Sequence, residues 1–277
     1  GLLHTKKFQK LHCPHLLTLR RRVDNRMLDQ LDMFNNGSAS QVGERQTDLE
    51  ELIEESKRNT KVLVGCETSG IVRQAFLDQG YDTWSCDILP SDTPSNRHIQ
   101  GDVRDVIVQG DFDLVFIGHP PCTRLCNSGA RWLSKAPPNK TLEEMWRQLD
   151  EGAELFSDLW NADVPCLAIE NPVMHKHAKA RIRNYEHFAQ SVQPWEFADD
   201  EAGPDNVKKR TCFWTRNLPN LTKTGTLDGS TARDDIHKAS PGKDRWKIRS
   251  KFYPALAAAM ADQWGRAASI TRKELSC

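Results

Sequence analysis

The stretch KVLVGCETSGIVRQAFLDQGYDTWSCDI, residues 61–88, decides the fold. It opens with a short apolar run, continues with apolar residues at helical spacing up to a glycine, and ends in a second apolar run. The alternation continues downstream: RHIQGD, DFDLVFIG and VPCLAIEN are predicted strands, and TLEEMWRQLDEGAELFSDLWNA is a predicted amphipathic helix. This order predicts an α/β fold with a mostly parallel sheet and helices on both faces. Ligands of such folds bind at the carboxyl ends of the strands.

The composition limits the classes of function. The chain has 277 residues, enough for one large domain with an appendage. Its 38 basic and 38 acidic residues balance, so binding of a polyanion would need a local basic surface. The eight cysteines lack the dense spacing of a disulfide scaffold, which predicts reduced thiols. No apolar run is long enough to cross a bilayer, so we expect a soluble protein without a membrane partner.

Residues 1–60 are predicted to form a charged, helical extension ahead of a domain at 61–277. They contain too few apolar residues to bury much surface alone. Residues 6–22 carry lysines and arginines without an acidic residue, which fits either a nucleic-acid-binding arm or a solvated helical face. The sequence HCPH at 12–15 is too crowded for the usual zinc spacings and has no second ligand pair, so no metal is predicted.

Acidic residues follow three of the predicted strands. Glu67 lies in the small-residue loop GCETSG, Asp87 ends the second strand, and Asp102 follows the third. Carboxylates at these positions can accept hydrogen bonds from ribose hydroxyls and from an adenine amino group, which suits a nucleoside cofactor. The glycine-rich phosphate fingerprint and the Walker lysine are both absent, which argues against dinucleotides and nucleoside triphosphates. Exposed loop carboxylates are common, so a purely structural role for each acid stays open.

The fourth and fifth predicted strands end in reactive side chains held by prolines. Pro120 and Pro121 precede Cys122, and Pro172 follows Glu170 and Asn171. Proline fixes its own backbone and restricts the residue before it, so both loops are stiff. A rigid cysteine opposite a rigid glutamate is typical of covalent catalysis. The alternative, an inert buried thiol, suits the cysteines inside the apolar runs better: Cys66, Cys86, Cys166 and Cys212.

These motifs resemble those of the DNA cytosine-5 methyltransferases, and most closely their small phage-type members. FDLVFIGHPPCTRLCNSG is similar to the family's nucleophile motif and IENP to its Glu-Asn-Val motif. NVKKRTCFW has the spacing of Gln-x-Arg-x-Arg and keeps the last arginine, and RSKFYPALAAAMADQW resembles the final motif. The match runs in order over about residues 61–265. It implies the Rossmann-like fold of the class I S-adenosylmethionine-dependent methyltransferases.

The resemblance implies a reaction in which the Cys122 thiolate adds to C6 of cytosine and a methyl group is transferred to C5. Glu170, a carboxyl group in an enclosed site, would assist at N3, and Arg210 would hold O2. Together with the strand-end residues this gives three expected sets. The catalytic set is Cys122, Glu170 and Arg210; the cofactor-binding set is Glu67, Ser69, Gly70, Asp87, Asp102 and Pro120; the substrate-binding set is Asn171, Lys208 and Arg124.

Two departures from the family pattern leave alternatives open for the substrate and for the donor. Only a loop-like insert at about 211–250 is available for target recognition, so modification of free deoxycytidine nucleotides, or a non-catalytic DNA-binding module, stays open beside DNA modification. The first motif lacks the usual Phe-x-Gly-x-Gly, which leaves the cofactor contacts open. The resemblance to small phage-type members implies S-adenosylmethionine as the donor or, as in some hypermodifying viruses, carboxy-S-adenosylmethionine, whose extra carboxylate would need a cation such as Arg73, Arg124 or Lys209. A DNA-modifying enzyme of phage or prophage origin would work in the cytoplasm of the bacterial host.

Basic clusters flank the predicted nucleophile and the arginine motif. Either cluster fits phosphate contacts with DNA or a solvated surface. The first comprises Arg124, Arg131, Lys135 and Lys140, and the second Lys208, Lys209, Arg210, Arg216 and Lys223.

Overall fold

A computed structural model describes residues 39–234 and 252–275. The basic segment 6–22, the HCPH sequence and most of the predicted helical extension lie outside these residues. Two compact units, residues 1–53 and 54–277, divide the chain. Of the first unit, the structure describes only the start of helix α1 (Ala39–Arg58). The predicted division at residue 60 stays a prediction.

One seven-stranded sheet forms the centre of the second unit as described. Its strands are β1 (Lys61–Gly65), β2 (Asp82–Asp87), β3 (His98–Gln100), β4 (Leu114–Ile117), β5 (Cys166–Glu170), β6 (Gln190–Val192) and β7 (Thr211–Arg216). Their spatial order is β3-β2-β1-β4-β5-β7-β6. The first five are parallel, and β7 is antiparallel to both β5 and β6. The order 3-2-1-4-5 is that of a doubly wound Rossmann sheet, in which the order of the strands reverses between β1 and β4.

The helices begin and end where the sequence provides local signals. They are α2 (Ile71–Asp78), α3 (Val103–Gln109), α4 (Leu142–Trp160), α5 (Lys176–Lys179) and α6 (Pro254–Leu275). Thr141 caps α4 by accepting a hydrogen bond from the backbone N–H of Glu144 at 3.1 Å. Its Met145, Leu149, Phe156 and Trp160 recur at helical spacing and are all buried. Packing of this apolar face, more than helix propensity, holds α4 on the sheet.

Helices cover both faces of the sheet. On one face, Val62, Val64 and Phe116 of the strands pack with α2 and α6; on the other, Leu63 and Val115 pack with α3 and α4. The aromatic residues of the first face meet edge-on: the rings of Phe213 and Trp264 are 5.1 Å apart at 86°. This arrangement confirms the predicted fold class, the Rossmann-like α/β fold with a mostly parallel sheet.

One predicted segment differs from the structure. The loop-like recognition insert at about 211–250 begins instead with strand β7, whose Cys212, Phe213 and Trp214 are buried. The strand forms because β5 and β6 both offer backbone partners to it. Residues 217–234 follow without helix or strand, and residues 235–250 lie outside the described part. None of the described helices is both long and apolar enough to span a membrane.

Candidate active site

Cys122 lies in the loop after β4, at the carboxyl edge of the sheet. Pro120 before it is buried, and Cys122 is half-buried. The carbonyl oxygen of Cys122 accepts hydrogen bonds from the backbone N–H groups of Leu125 and Cys126 at 2.9 and 3.0 Å. The cysteine therefore opens a tight helical turn and its backbone is fixed.

Backbone hydrogen bonds join the Cys122 loop to the loop that follows Glu170. Cys126 and Met174 form an antiparallel bridge. The N–H of Asn127 donates to the carbonyl of Val173 at 3.1 Å, and the N–H of His175 donates to the carbonyl of Leu125 at 3.0 Å. These bonds hold the two predicted catalytic loops in one fixed arrangement; we call this pair of segments, 125–127 and 173–175, the seam.

The side chain of His175 closes the seam. Its Nδ1 accepts the N–H of Ala178 at 3.2 Å, so the proton is on Nε2, which donates to the carbonyl of Arg124 at 2.7 Å. Burial lowers the pKa of His175, which keeps the ring neutral and this pattern intact.

Glu170 ends β5 and is only 4% exposed. Its Oε2 lies 3.1 Å from Nδ1 of His119, the residue before the two prolines. Burial lowers the pKa of His119, against the opposing effect of the hydrogen bond to Glu170. Sequence analysis missed His119 although it lies inside the quoted motif. A histidine in a proline-stiffened loop was the available sequence signal. Its partner Glu170 is 51 residues away, so the sequence did not show that the two residues meet.

Buried polar atoms without partners surround this pair. Asn171 is fully buried, and neither its Oδ1 nor its Nδ2 has a hydrogen-bond partner in the described part of the chain. The same holds for Nε2 of His119. Such atoms cost free energy unless a ligand satisfies them, so they mark a place where a polar ligand would bind.

Glu67, Ser69 and Gly70 form a self-contained loop after β1. Glu67 is 3% exposed; one carboxylate oxygen accepts the Ser69 hydroxyl and the other accepts the N–H of Gly70 at 3.1 Å. Burial raises the pKa of Glu67, against the lowering effect of these hydrogen bonds. Gly70 has φ +75°, and a Cβ there would lie 2.6 Å from Nη2 of Arg73. The loop therefore requires glycine at this position.

Asp87 and Asp102 lie at the ends of β2 and β3, but their carboxylates are engaged differently. Oδ1 of Asp87 accepts the N–H of Leu89 at 2.9 Å. Asp102 caps α3 by accepting the N–H of Arg104 at 2.9 Å, and the Arg104 side chain hydrogen-bonds it and lowers its pKa. Asp102 thus already serves its own helix, whereas Asp87 has only a local turn bond and is better suited to a ribose hydroxyl.

Lys209 and Arg210 both carry positive charge near the carboxyl edge of β5. Nζ of Lys209 lies 5.9 Å from the ring centroid of Phe252, whose ring is 5.1 Å from that of His119. The positive charge of Lys209 helps to lower the pKa of His119. Nε of Arg210 donates to the Ser191 hydroxyl at 3.1 Å, and Arg210 and Glu170 both act on the pKa of the buried Cys212. The expected role of Arg210 at cytosine O2 stays a prediction.

The other two expected substrate contacts have the following bonds. Lys208 is exposed, and its backbone N–H donates to the carbonyl of Arg233 at 2.8 Å. Nε of Arg124 donates to Oε1 of Gln148 on α4 at 2.9 Å. Their roles toward a substrate stay predictions.

Three of the other cysteines lie in the core, as expected. Cys86, Cys166 and Cys212 are fully buried. Burial raises the pKa of Cys86 to about 11 and raises those of Cys166 and Cys212. Thiols that stay protonated are poor nucleophiles, so Cys122 is the better candidate.

No protein-family model and no curated protein sequence matches the chain. Among solved structures, one similar chain is a protein proposed to be a DNA modification methyltransferase, encoded within a prophage (E. coli). The identity is 13%, the TM-score is 0.34, and the match covers 57% of this chain. The chain spans 46% of the length of that protein.

Proposed function

We propose that this protein is an S-adenosylmethionine-dependent DNA cytosine-5 methyltransferase that works through a covalent adduct between Cys122 and C6. The observation that carries the proposal is the seam. It holds the loop of a half-buried cysteine against the loop of a buried glutamate at the carboxyl edge of an α/β sheet. Covalent activation of a pyrimidine needs this combination of nucleophile and enclosed acid.

Cys122 supplies the nucleophile. Its sulfur forms a bond to C6 of cytosine, and the electron pair of the C5–C6 double bond moves into the ring and makes C5 nucleophilic. After C5 acquires the methyl group, a base removes the C5 proton. The electron pair of that C–H bond restores the double bond as the C6–S bond breaks, which regenerates the thiolate.

Glu170 assists the addition of the thiolate by acting at N3 of the cytosine ring, and His119 hydrogen-bonds to Glu170. One carboxyl oxygen of Glu170 presents a proton to N3, while Oε2 accepts the hydrogen bond from Nδ1 of His119 at 3.1 Å. As the proton shifts to N3, the His119 N–H stabilises the carboxylate that forms. Asn171, with its unpartnered buried amide, is the candidate for holding the polar edge of the base. Arg210 stays the candidate for cytosine O2, and Lys209 is a second cation near His119.

S-adenosylmethionine fits the residues at the ends of β1, β2 and β4. A crevice for the cofactor is expected where the order of the strands reverses, between β1 and β4. The loops that follow these two strands lie side by side there, since the N–H of His119 donates to the carbonyl of Cys66 at 3.0 Å. Asp87 would take the ribose, and the loop Glu67–Gly70 with Pro120 would shape the pocket. When bound, the cofactor supplies an electrophilic methyl group.

DNA as the substrate is supported by the charges near the site. No acidic residue occurs between residues 114 and 142, whereas Arg124, Arg131, Lys135 and Lys140 do. A cytosine in a duplex would have to leave the base stack to reach Cys122, at a cost of a few kcal/mol. The basic segment would hold the phosphates of the strand during that step.

The test is to incubate the protein with DNA and S-adenosylmethionine, digest the DNA to nucleosides and weigh the deoxycytidine products. We expect 5-methyldeoxycytidine with the wild type and with Cys126→Ala, a matched control in the same loop, and none with Cys122→Ala. Product from Cys122→Ala would overturn the covalent mechanism. Product on free deoxycytidine nucleotides alone would move the substrate from DNA to the nucleotide pool.

A second candidate donor, carboxy-S-adenosylmethionine, is favoured by one observation. Of the three cations expected for its extra carboxylate, Lys209 is the one whose positive charge acts on His119, the hydrogen-bond partner of Glu170. A parallel reaction with this donor would give a carboxymethylated product that Lys209→Met would lose selectively. Equal loss with both donors would argue against this role of Lys209.

A further inference from the structure

A groove of about 760 Å³ lies immediately outside the seam. One wall is the 3₁₀ helix Asn127–Leu133, which follows the Cys122 loop, and the other is formed by residues 173–179, which follow Glu170. Trp146 of α4 contributes to its lining. The groove therefore starts within a few residues of both predicted catalytic side chains.

The lining of this groove contains lysines and no acidic residue. Lys176 is exposed, Lys179 is half-buried, and neither forms a salt bridge with a residue in the described part of the chain. The whole segment 171–185 lacks Asp and Glu, although the protein as a whole is neutral. A local excess of positive charge on a neutral protein attracts anionic partners to that surface.

A neighbouring groove provides the contrast. It encloses about 490 Å³, is lined in part by residues of the Cys122 loop, and contains Glu151 and Glu154 as well as Arg104 and Arg124. Other basic residues of α4 and its surroundings are also neutralised: Arg147 pairs with Glu151, and Arg181 with Asp150. Lys176 and Lys179 differ in this respect from the ion-paired arginines nearby.

The aromatic residue of the groove suits a nucleotide. The ring of Trp146 meets the ring of His177 edge-on at 5.3 Å, and the guanidinium of Arg181 lies 4.9 Å from its centroid. An aromatic surface between cations is typical of sites that bind a polynucleotide strand, where bases or sugars pack on the ring and phosphates contact the cations.

We propose that this groove binds the DNA strand that carries the target cytosine, with phosphates next to the target on Lys176 and Lys179. The inference rests on the proposed function and adds a docking surface to it. The groove would anchor the strand beside the seam while the target base enters the site. Because both walls continue directly from the catalytic loops, strand binding would also fix the positions of those loops.

The test compares K176Q/K179Q with R147Q/R266Q, which changes the net charge equally at two exposed, ion-paired arginines. Binding of duplex DNA is measured at several salt concentrations, and product formation is measured at saturating DNA. We expect K176Q/K179Q to weaken binding at least about tenfold. We also expect it to lower the slope of log K against log salt by about 2. The control should change neither, and thermal melts would check that both variants fold.

The outcomes separate this inference from the proposed function. If the wild type modifies cytosine and K176Q/K179Q binds DNA with an unchanged slope, the groove is not the docking surface, although the function stands. If the wild type makes no product but the lysine variant alone loses salt-dependent binding, the groove binds DNA and the methyltransferase proposal fails. Equal losses in both double variants would also overturn the inference, because overall charge would then explain them.

Discussion

Glu67 and Glu170 are both buried carboxylates at the same edge of the sheet, yet their partners differ. Glu67 is bonded to Ser69 and Gly70, two and three residues further along its own loop. Glu170 is bonded to His119, which comes from the end of a neighbouring strand. The first carboxylate thus stabilises its own loop, whereas the second joins two separate chain segments. From this difference we propose a structural role for Glu67, in shaping its loop, and a chemical role for Glu170.

The largest effect should come from Glu170→Gln. Without a proton to offer at N3, the rate of product formation should fall by about 10²- to 10⁴-fold. Affinity for DNA and the melting temperature should change little, because glutamine can keep the hydrogen bond to His119. Single-turnover kinetics would measure this. Glu67→Gln is the matched control and should reduce the rate less than about tenfold; equal losses would remove the distinction between the two carboxylates.

The next effect concerns the partner of Glu170. His119→Ala removes a hydrogen bond to a charged group, so the turnover rate should fall by about 10- to 100-fold. His119→Asn places an amide N–H near the position of Nδ1 and should recover part of that loss. A steady-state comparison of kcat with KM for DNA would measure both. A loss confined to KM for DNA, or no difference between Ala and Asn, would contradict a positioning role for His119.

Gly70→Ala tests the self-contained loop. The left-handed backbone at φ +75° costs a residue with a Cβ about 1–2 kcal/mol, and the new methyl group would press on Arg73. We expect weaker binding of S-adenosylmethionine in calorimetry and a lower free energy of unfolding in urea. Gly101→Ala is the control, since a Cβ at Gly101 meets nothing within 4 Å in the described structure. Similar losses at both positions would argue against a special loop at Gly70.

The smallest effect is on stability in mild acid. Burial lowers the pKa values of His119 and His175 below the ordinary value of 6.5, so the unfolded chain binds protons first as the pH falls. Their contribution is complete above about pH 6.5 and is lost as the pH falls through the folded values. Glu67, whose pKa is raised, opposes this loss by taking up a proton in the folded state.

Urea unfolding of the wild type and of Glu67→Gln between pH 7.5 and 5.5 would test this balance. The free energy of unfolding of the wild type should decline toward pH 5.5, and that of Glu67→Gln should decline more steeply. If the free energy of unfolding of Glu67→Gln changed less with pH than that of the wild type, Glu67 would not oppose the loss of stability in acid.

The sequence predicted what depends on local pattern. The alternation of apolar runs with helical spacing gave the sheet, and the prolines around Cys122 and Glu170 located the stiff loops at its edge. It did not predict β7, because Thr211–Arg216 forms a strand only by pairing with both β5 and β6. Such non-local pairings leave little trace in a single sequence.

The cations of the arginine motif show the same limit at the level of single residues. Motif spacing predicted a role for Arg210, which stays a prediction. The effect of Lys209 on His119 was not predicted, because the two residues are far apart in the sequence. The roles expected for Asp87, Asn171 and Pro120 stay predictions, because each depends on a ligand.

The most direct test of the central claim is a covalent trap. Duplex DNA that contains 5-fluorodeoxycytidine is incubated with the protein and S-adenosylmethionine, and the denatured complex is digested and analysed by mass spectrometry. A base can remove the C5 proton of cytosine but cannot remove fluorine from C5, so the C6–S bond should persist. We predict a nucleotide adduct on the peptide that contains Cys122. An adduct on another cysteine, or methylated cytosine in ordinary DNA without any adduct on the fluorinated DNA, would contradict the covalent mechanism.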